Sequence, residues 1–191
     1  MSVSIRTKRN RYVFAAVFAA MIAVSSFLII PLPGIPVPLV LKNLFIVLSG
    51  TILGGFYGAL SVIIFIAAGL IGIPVFVIPG GIAVFTTPLG GYIIGYFLAS
   101  MAAGLICGLP KISEKKVPPF FMLRLIAASL TGFILILVSG VIFMMYVNSM
   151  SLEAAAAAGF MPFIIGDLIK FAISIPLSLK LRPIAARYIN Q

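Results

Sequence analysis

The chain reads as long apolar runs separated by short polar or proline-rich breaks, with little of the alternation a half-buried strand needs. A basic head, Arg6-Thr7-Lys8-Arg9-Asn10-Arg11, precedes an apolar run over 12–30. Pro31, Pro33, Pro36 and Pro38 then break the helix, because proline lacks the amide donor and clashes with the preceding turn. A short, stiff, apolar loop is predicted over 31–37. A second span is predicted over 38–53, ending at Gly54-Gly55, and a third over 56–70. Residues 71–90 are apolar but too rich in Gly and Pro for a regular helix. Irregular backbone at membrane depth survives only where protein covers it or a cavity lies beside it. This stretch therefore predicts a partly buried loop between helices 3 and 4. A fourth span follows over 91–109, then a polar break beginning at Lys111 and a fifth span over 121–147. Ser151 is placed to cap a short helix that runs through Glu153 and the alanine run to Gly159. The sixth span is predicted over 161–179, with Lys180-Leu181-Arg182-Pro183 closing the membrane part.

Composition turns these runs into membrane spans. The 191 residues are 63% hydrophobic and 8% charged, with a mean hydropathy of +1.31, whereas soluble domains carry about 25% charged residues. The expected fold is an all-α membrane protein of six transmembrane helices in a single domain over 1–191. A cleaved signal peptide is the competing reading of the first run, but the run is long for a signal core and further spans follow it. With the N-terminus inside, the inner segments hold Arg6, Lys8, Arg9, Arg11, Lys111, Lys115, Lys116, Arg124, Lys180, Arg182 and Arg187. That is eleven of the thirteen cations. The positive-inside rule therefore places both termini in the cytoplasm. The net charge of +10 then reflects orientation and not a nucleic-acid partner. One Cys and no His exclude an intramolecular disulfide and argue against a Cys/His metal site.

The two remaining cations, Lys42 and Lys170, lie inside spans, and Asp167 is the one acidic residue that does so. Ionisable groups in a membrane span are costly and mark a functional site by default. Asp167 and Lys170 are three apart and share a helix face. Counted from the span ends, both lie in the outer half, as do Lys42 and Asn43 near the start of span two. Two lysines against one aspartate leave one positive charge, which suits a substrate with a single carboxylate. The plainer alternative is that Asp167 and Lys170 only satisfy each other and tie span six to its neighbours. Small residues give a second pattern. Ala15, Ala19 and Ala23 recur at intervals of four on span one, with Ala16 and Ala20 beside them, and such stripes allow close helix approach. Internal packing and a docking face for another membrane protein are both open on spacing alone. No G-x-x-x-x-G-K-[ST] phosphate loop occurs, so this chain does not drive transport with ATP by that route. No constellation of hydrolytic residues occurs either, so an enzyme is not expected. A stand-alone channel would want a polar stripe through the whole thickness, whereas the charges within spans cluster in the outer half.

Several stretches together resemble a known family. They are Ile35-Pro36-Val37-Pro38, Gly50 with Leu53-Gly54, Gly69 followed by Gly72-Ile73-Pro74-Val75-Phe76, Pro88-Leu89-Gly90-Gly91-Tyr92, and Gly166-Asp167-Leu168-Ile169-Lys170. In this order they resemble the BioY family, biotin-binding subunits (S components) of energy-coupling factor transporters. The resemblance implies a six-helix fold in a prokaryotic cell membrane that binds biotin from outside, under the 1–2 and 3–4 loops. It implies that Asp167 and Lys170 contact the ureido ring, and it adds Phe76, Gly91 and Tyr92 to the substrate-binding set. Lys42 with Asn43 would then face the carboxylate. It also implies that the alanine face of span one docks a transmembrane coupling subunit driven by two cytoplasmic ATPases, so that ATP is used by partners and this chain needs no cofactor. The sequence departs from the family pattern at Lys42, where Gln is usual, in Thr87-Pro88-Leu89-Gly90, which lacks a Gly and a Thr, and at Val77-Ile78-Pro79, which lacks a polar residue. These departures leave a biotin precursor or another small carboxylate as the alternative substrate.

Overall fold

The computed structural model describes residues 2–31, 38–76, 81–111 and 118–189, with side chains in the first helix from Arg9 onward. Among these are seven helices: α1 (Ser2–Ser25), α2 (Lys42–Leu53), α3 (Gly55–Leu70), α4 (Leu89–Cys107), α5 (Pro119–Val147), α6 (Leu152–Gly159) and α7 (Ile164–Ile189). Strands β1 (Ile29–Ile30) and β2 (Leu39–Val40) pair antiparallel, and 3-10 turns over Ile82–Thr86 and Met161–Phe163 lead into α4 and α7.

The surface is apolar on nearly every helix. Val13, Phe56, Leu105, Phe120, Ile142 and Ile165 are all exposed, which is a costly surface in water and an ordinary one in lipid. Leu89–Cys107, Pro119–Val147 and Leu152–Ile189 are long and apolar enough to cross a membrane, and Lys42–Leu53 and Gly55–Leu70 are shorter apolar helices. The chain is a mostly helical membrane protein. Buried hydroxyls stitch its helices together. Ser49 bonds Ser100 at 2.8 Å and Thr51 bonds Ser178 at 2.8 Å, tying α2 to α4 and to α7, and such links replace the hydrophobic drive that lipid removes. Helix α2 sits at the centre, with nine of its twelve residues buried. Gly54, at φ 82°, turns α2 into α3. A Cβ on Gly104 would lie 2.3 Å from the Gly55 nitrogen, so α4 and the start of α3 meet backbone to backbone.

Contacts at the helix ends give the bundle two unlike poles. At one, Asn10 donates to the Tyr188 carbonyl at 2.9 Å and Arg11 to that of Ile189 at 3.2 Å, joining the start of α1 to the end of α7. Arg124 at the start of α5 donates to Ile106 near the end of α4. At the other pole, Leu28 after α1 accepts from Leu41 before α2. Gly69 at the end of α3 packs under Phe76, and Tyr92 near the start of α4 donates to Gly159 at the end of α6. Helices α1, α2, α3, α4, α5 and α7 thus run alternately up and down.

Several sequence boundaries are corrected. Helix α1 takes in the basic head and stops at Ser25, because Ile29–Ile30 leave the helix to pair with Leu39–Val40. That pairing also delays α2 to Lys42. The stretch over 71–90 is partly buried where described, through Val75, Phe76 and Val84. The largest correction is in α7, which runs ten residues beyond the expected 179 to Ile189. Pro183 does not end it, since prolines are tolerated in membrane helices where neighbours satisfy the freed backbone. Arg182 is not a tail cation. It is 1% exposed, and its guanidinium donates to Thr51 at the end of α2 and to Cys107, Gly108 and Leu109 at the end of α4. A cation there satisfies carbonyls that a helix end leaves without partners and faces the negative pole of both helix dipoles. Arg9, Lys111, Arg124, Lys180 and Arg187 are exposed at or near that pole. The side chains of Arg6, Lys8, Lys115 and Lys116 lie outside the described residues, as do 32–37 and 77–80.

The alanine stripes also separate. Ala15 and Ala19 are buried at 0% and 5% exposure and Ala23, half-buried, packs against the central core, so this line is turned into the bundle's own packing. The reason is rotation of α1, which turns that line towards α2 and α3. Ala16 and Ala20 remain exposed, beside Val13, Val17 and Val24.

Candidate functional site

A cavity of about 260 Å³ lies at the pole away from the Arg182 clamp. Its size is near the low end for small-molecule sites. The start of α2 supplies Lys42 and Asn43, preceded by Pro38, Leu39 and Val40 of the β2 segment. Phe76 and Val84 come from the segment between α3 and α4, and Leu89, Tyr92, Ile93 and Tyr96 from one face of α4. Leu137 of α5 and the Pro162, Phe163, Gly166 and Lys170 segment close it. Most of this wall is apolar, so the few polar groups fix what it recognises.

Those groups form two clusters. In the first, the Lys170 ammonium is ion-paired with Asp167 Oδ1 and donates to the Val40 carbonyl at 3.3 Å. Asn43 Nδ2 donates to the same Asp167 Oδ1 at 3.4 Å. Asp167 and Lys170 are each 4% exposed. Asp167 stands just behind the wall, between lining residues Gly166 and Lys170. Its second oxygen, Oδ2, is buried and has no hydrogen-bond partner among the described residues. A buried carboxylate oxygen left without a donor carries a desolvation penalty of about 1–3 kcal/mol or more. The sequence pairing of Asp167 and Lys170 is thus observed, and Asn43 joins them across 124 residues of chain.

The second cluster is Lys42 and Tyr96. The ammonium lies 5.0 Å from the centre of the Tyr96 ring, a cation–π contact. Although adjacent in sequence, Lys42 and Asn43 diverge by about 100° around the helix, and they join different clusters. Both line the cavity, Asn43 with its amide on Asp167 and Lys42 over Tyr96.

Phe76 lines the cavity, buried against Gly69 and stacked edge-on at 5.5 Å from Phe65. Tyr92 lines it too, with its ring over Gly140 and its hydroxyl on the Gly159 carbonyl at 2.6 Å. Gly91 does not. A Cβ there would lie 2.2 Å from the Phe143 Cβ, so this glycine lets α4 and α5 approach and is a packing residue. Sequence reasoning missed Tyr96, although it follows Tyr92 by one helical turn on the same face. It also missed Phe163, which faces Tyr92 at 6.1 Å between ring centres.

A polar stripe does continue along α7 through Ser174, Ser178 and Arg182, at intervals of four from Lys170. Each member has a protein partner: Ser174 donates to Phe171, Ser178 pairs with Thr51, and Arg182 clamps the helix ends. The stripe is a packing seam.

Comparison with known proteins agrees with this arrangement. The chain is similar to the "Biotin transporter BioY" of Thermotoga maritima, 35% identical over 170 residues, which cover 88% of this chain and 93% of that protein. It is 34% identical over 167 residues to the protein of the same name from Rhodobacter capsulatus, covering 82% and 85% of the two chains. The crystal structure of the S-component for biotin from an ECF-type ABC transporter superposes with a TM-score of 0.76 at 32% identity, covering 92% of each chain. The family model described as "BioY family" matches residues 1–187. With Lys170 of the α7 D-x-x-K pair lining the cavity, Asp167 just behind it, and a family match over nearly its whole length, this chain belongs to the BioY family.

Proposed function

We propose that this chain captures biotin at the outer face of a prokaryotic cell membrane and delivers it inward as the substrate-binding subunit of an energy-coupling factor transporter. The observation that carries this reading is the buried Oδ2 of Asp167, which has no partner among the described residues, close behind the wall of a small apolar cavity. A ureido ring offers N–H donors to that oxygen and a carbonyl to the Lys170 ammonium, while the apolar wall takes the rest of the bicycle. The relatives' names and the superposed structure supply the ligand. The alternating helices support six membrane crossings, and the clustering of exposed cations opposite the cavity supports cytoplasmic termini. Titration of the monodisperse purified protein with biotin is expected to give saturable heat at a one-to-one ratio. A featureless titration, with a related small carboxylate or vitamin giving heat instead, would shift the reading to that ligand. Ligand-independent flux through proteoliposomes would favour a channel.

Coupling partners are part of the same proposal: a transmembrane subunit carrying two cytoplasmic ATPases, with α1 docking through Ala16 and Ala20. These residues are four apart on an exposed face, the spacing that lets helices approach closely in lipid. Replacing Ala20 with Trp is expected to abolish co-purification with the transmembrane partner while biotin titration persists. Retained co-purification would remove this face from the docking surface.

A further inference from the structure

Lys42, half-buried in the cavity wall, stands apart from the buried charges Asp167 and Lys170. Asp167 is already engaged by Lys170 and Asn43, and Lys170 has a second acceptor in the Val40 carbonyl. Among the described residues Lys42 has no ion pair and no hydrogen bond, and its ammonium rests over the face of Tyr96. The wall around it is apolar, through residues such as Leu39, Ile93 and Leu137. A half-buried cation among apolar neighbours gains from an anion entering beside it. Its position at the first residue of α2, where no side chain caps the helix, adds the positive end of that helix's dipole to the same wall.

Tyr96 gives the ammonium a fixed place. The ring is 5% exposed and belongs to the central core with Phe76, Val84 and Ile93, so it does not move with the ligand. A free lysine side chain carries about 2 kcal/mol of rotamer entropy, and resting it on a rigid ring meets part of the cost of ordering it before the ligand arrives. The cavity is then bipolar. One cluster presents the Lys170 ammonium with the unfilled Asp167 oxygen behind it, and the other a single unmatched cation among the described residues.

We propose that Lys42, held over Tyr96, reads the free carboxylate of the ligand and makes this site selective for the acid over the same molecule with its acid masked as an amide. Tyr96 acts as a positioning residue. The inference rests on the biotin reading above and adds which end of the molecule is inspected by charge. Conjugates linked through that carboxylate, such as biotin joined to an amine, are rejected at Lys42 and not by size alone.

The test compares biotin with its primary amide, near in size and uncharged, by titration of the purified full chain. The wild type is expected to favour the acid by on the order of tenfold or more, the scale of one charge-assisted hydrogen bond. Lys42→Gln should bring the ratio of the two affinities to within about threefold, and Lys42→Arg should restore much of it. Tyr96→Leu should lower the ratio and Tyr96→Phe, which keeps the ring face, should preserve it. Equal affinity of the wild type for acid and amide overturns the proposal without any variant. A tenfold preference that survives Lys42→Gln assigns acid recognition elsewhere. A ratio unchanged in Tyr96→Leu removes the positioning role. A wild type that binds neither ligand would instead sink the biotin reading.

Discussion

Exchanging Arg182 for Met is expected to lower the apparent Tm of the purified protein by at least about 6 °C. The side chain is buried to 1% exposure and donates to carbonyls at the ends of two helices. Its plane also lies 5.0 Å from the centre of the Phe121 ring at the start of α5. Methionine keeps much of the volume and removes every donor. The buried carbonyls of Thr51 and Cys107 and the part-buried ones of Gly108 and Leu109 then lose a charged partner at once, and each buried loss costs about 1–3 kcal/mol when nothing replaces it. Relaxation of the helix ends recovers part of this, so a net loss of about 3 kcal/mol is a conservative figure. For a chain of this length that corresponds to a shift of about 2–4 °C per kcal/mol. The milder exchange Arg182→Lys keeps the charge but reaches fewer acceptors, because an ammonium lacks the planar fork, and should fall in between. A melting curve unchanged by the Arg182→Met exchange would mean that the clamp is geometrically present and energetically idle.

The second large effect falls on Asp167. Asp167→Asn preserves shape and one acceptor but removes the charge that balances Lys170. Biotin affinity is expected to drop by about 1.5–3 kcal/mol, which is roughly tenfold to a hundredfold. Stability should fall as well, because breaking a buried ion pair from one side leaves the other charge uncompensated. The two consequences separate in the double exchange Asp167→Asn with Lys170→Met. Removing both charges should return much of the lost stability, since an apolar replacement of a buried pair is often neutral or better. Affinity should stay low, because the ligand loses its charged acceptor at this position. Parallel thermal melts and biotin titrations on the three proteins decide this. If the double variant binds biotin like the wild type, the pair is only a fastener between α7 and its neighbours.

The parts of this architecture that are legible in the sequence are those set by burial in lipid. Helix existence follows from apolar runs, and Gly54 and the short helix capped by Ser151 follow from local chemistry. The Ser151 hydroxyl does accept from the Ala154 amide, at 3.3 Å. Asp167 and Lys170 are legible because charge is rare in a span. What stays hidden depends on rotation and on distant partners. Nothing in the spacing of Ala15, Ala16, Ala19 and Ala20 says which line turns inward. Tyr96 looks like one more aromatic until Lys42 is placed over it. Arg182 reads as a tail charge because Pro183 follows it, and its acceptors lie in other helices. The clue is its register: Lys170, Ser174, Ser178 and Arg182 recur every four residues, which places all four on one helical face.

The clamp has a consequence for how the protein is made. Arg182 comes 131 residues after Thr51 and 75 after Cys107. The ribosome therefore finishes α2 and α4 long before it supplies the group that completes their ends. Through most of synthesis those carbonyls must face water or headgroups. They gain their charged partner only once residue 182 is in place. A nascent chain that stalls before residue 182 keeps its helix ends open at the pole where the Arg182 clamp would sit.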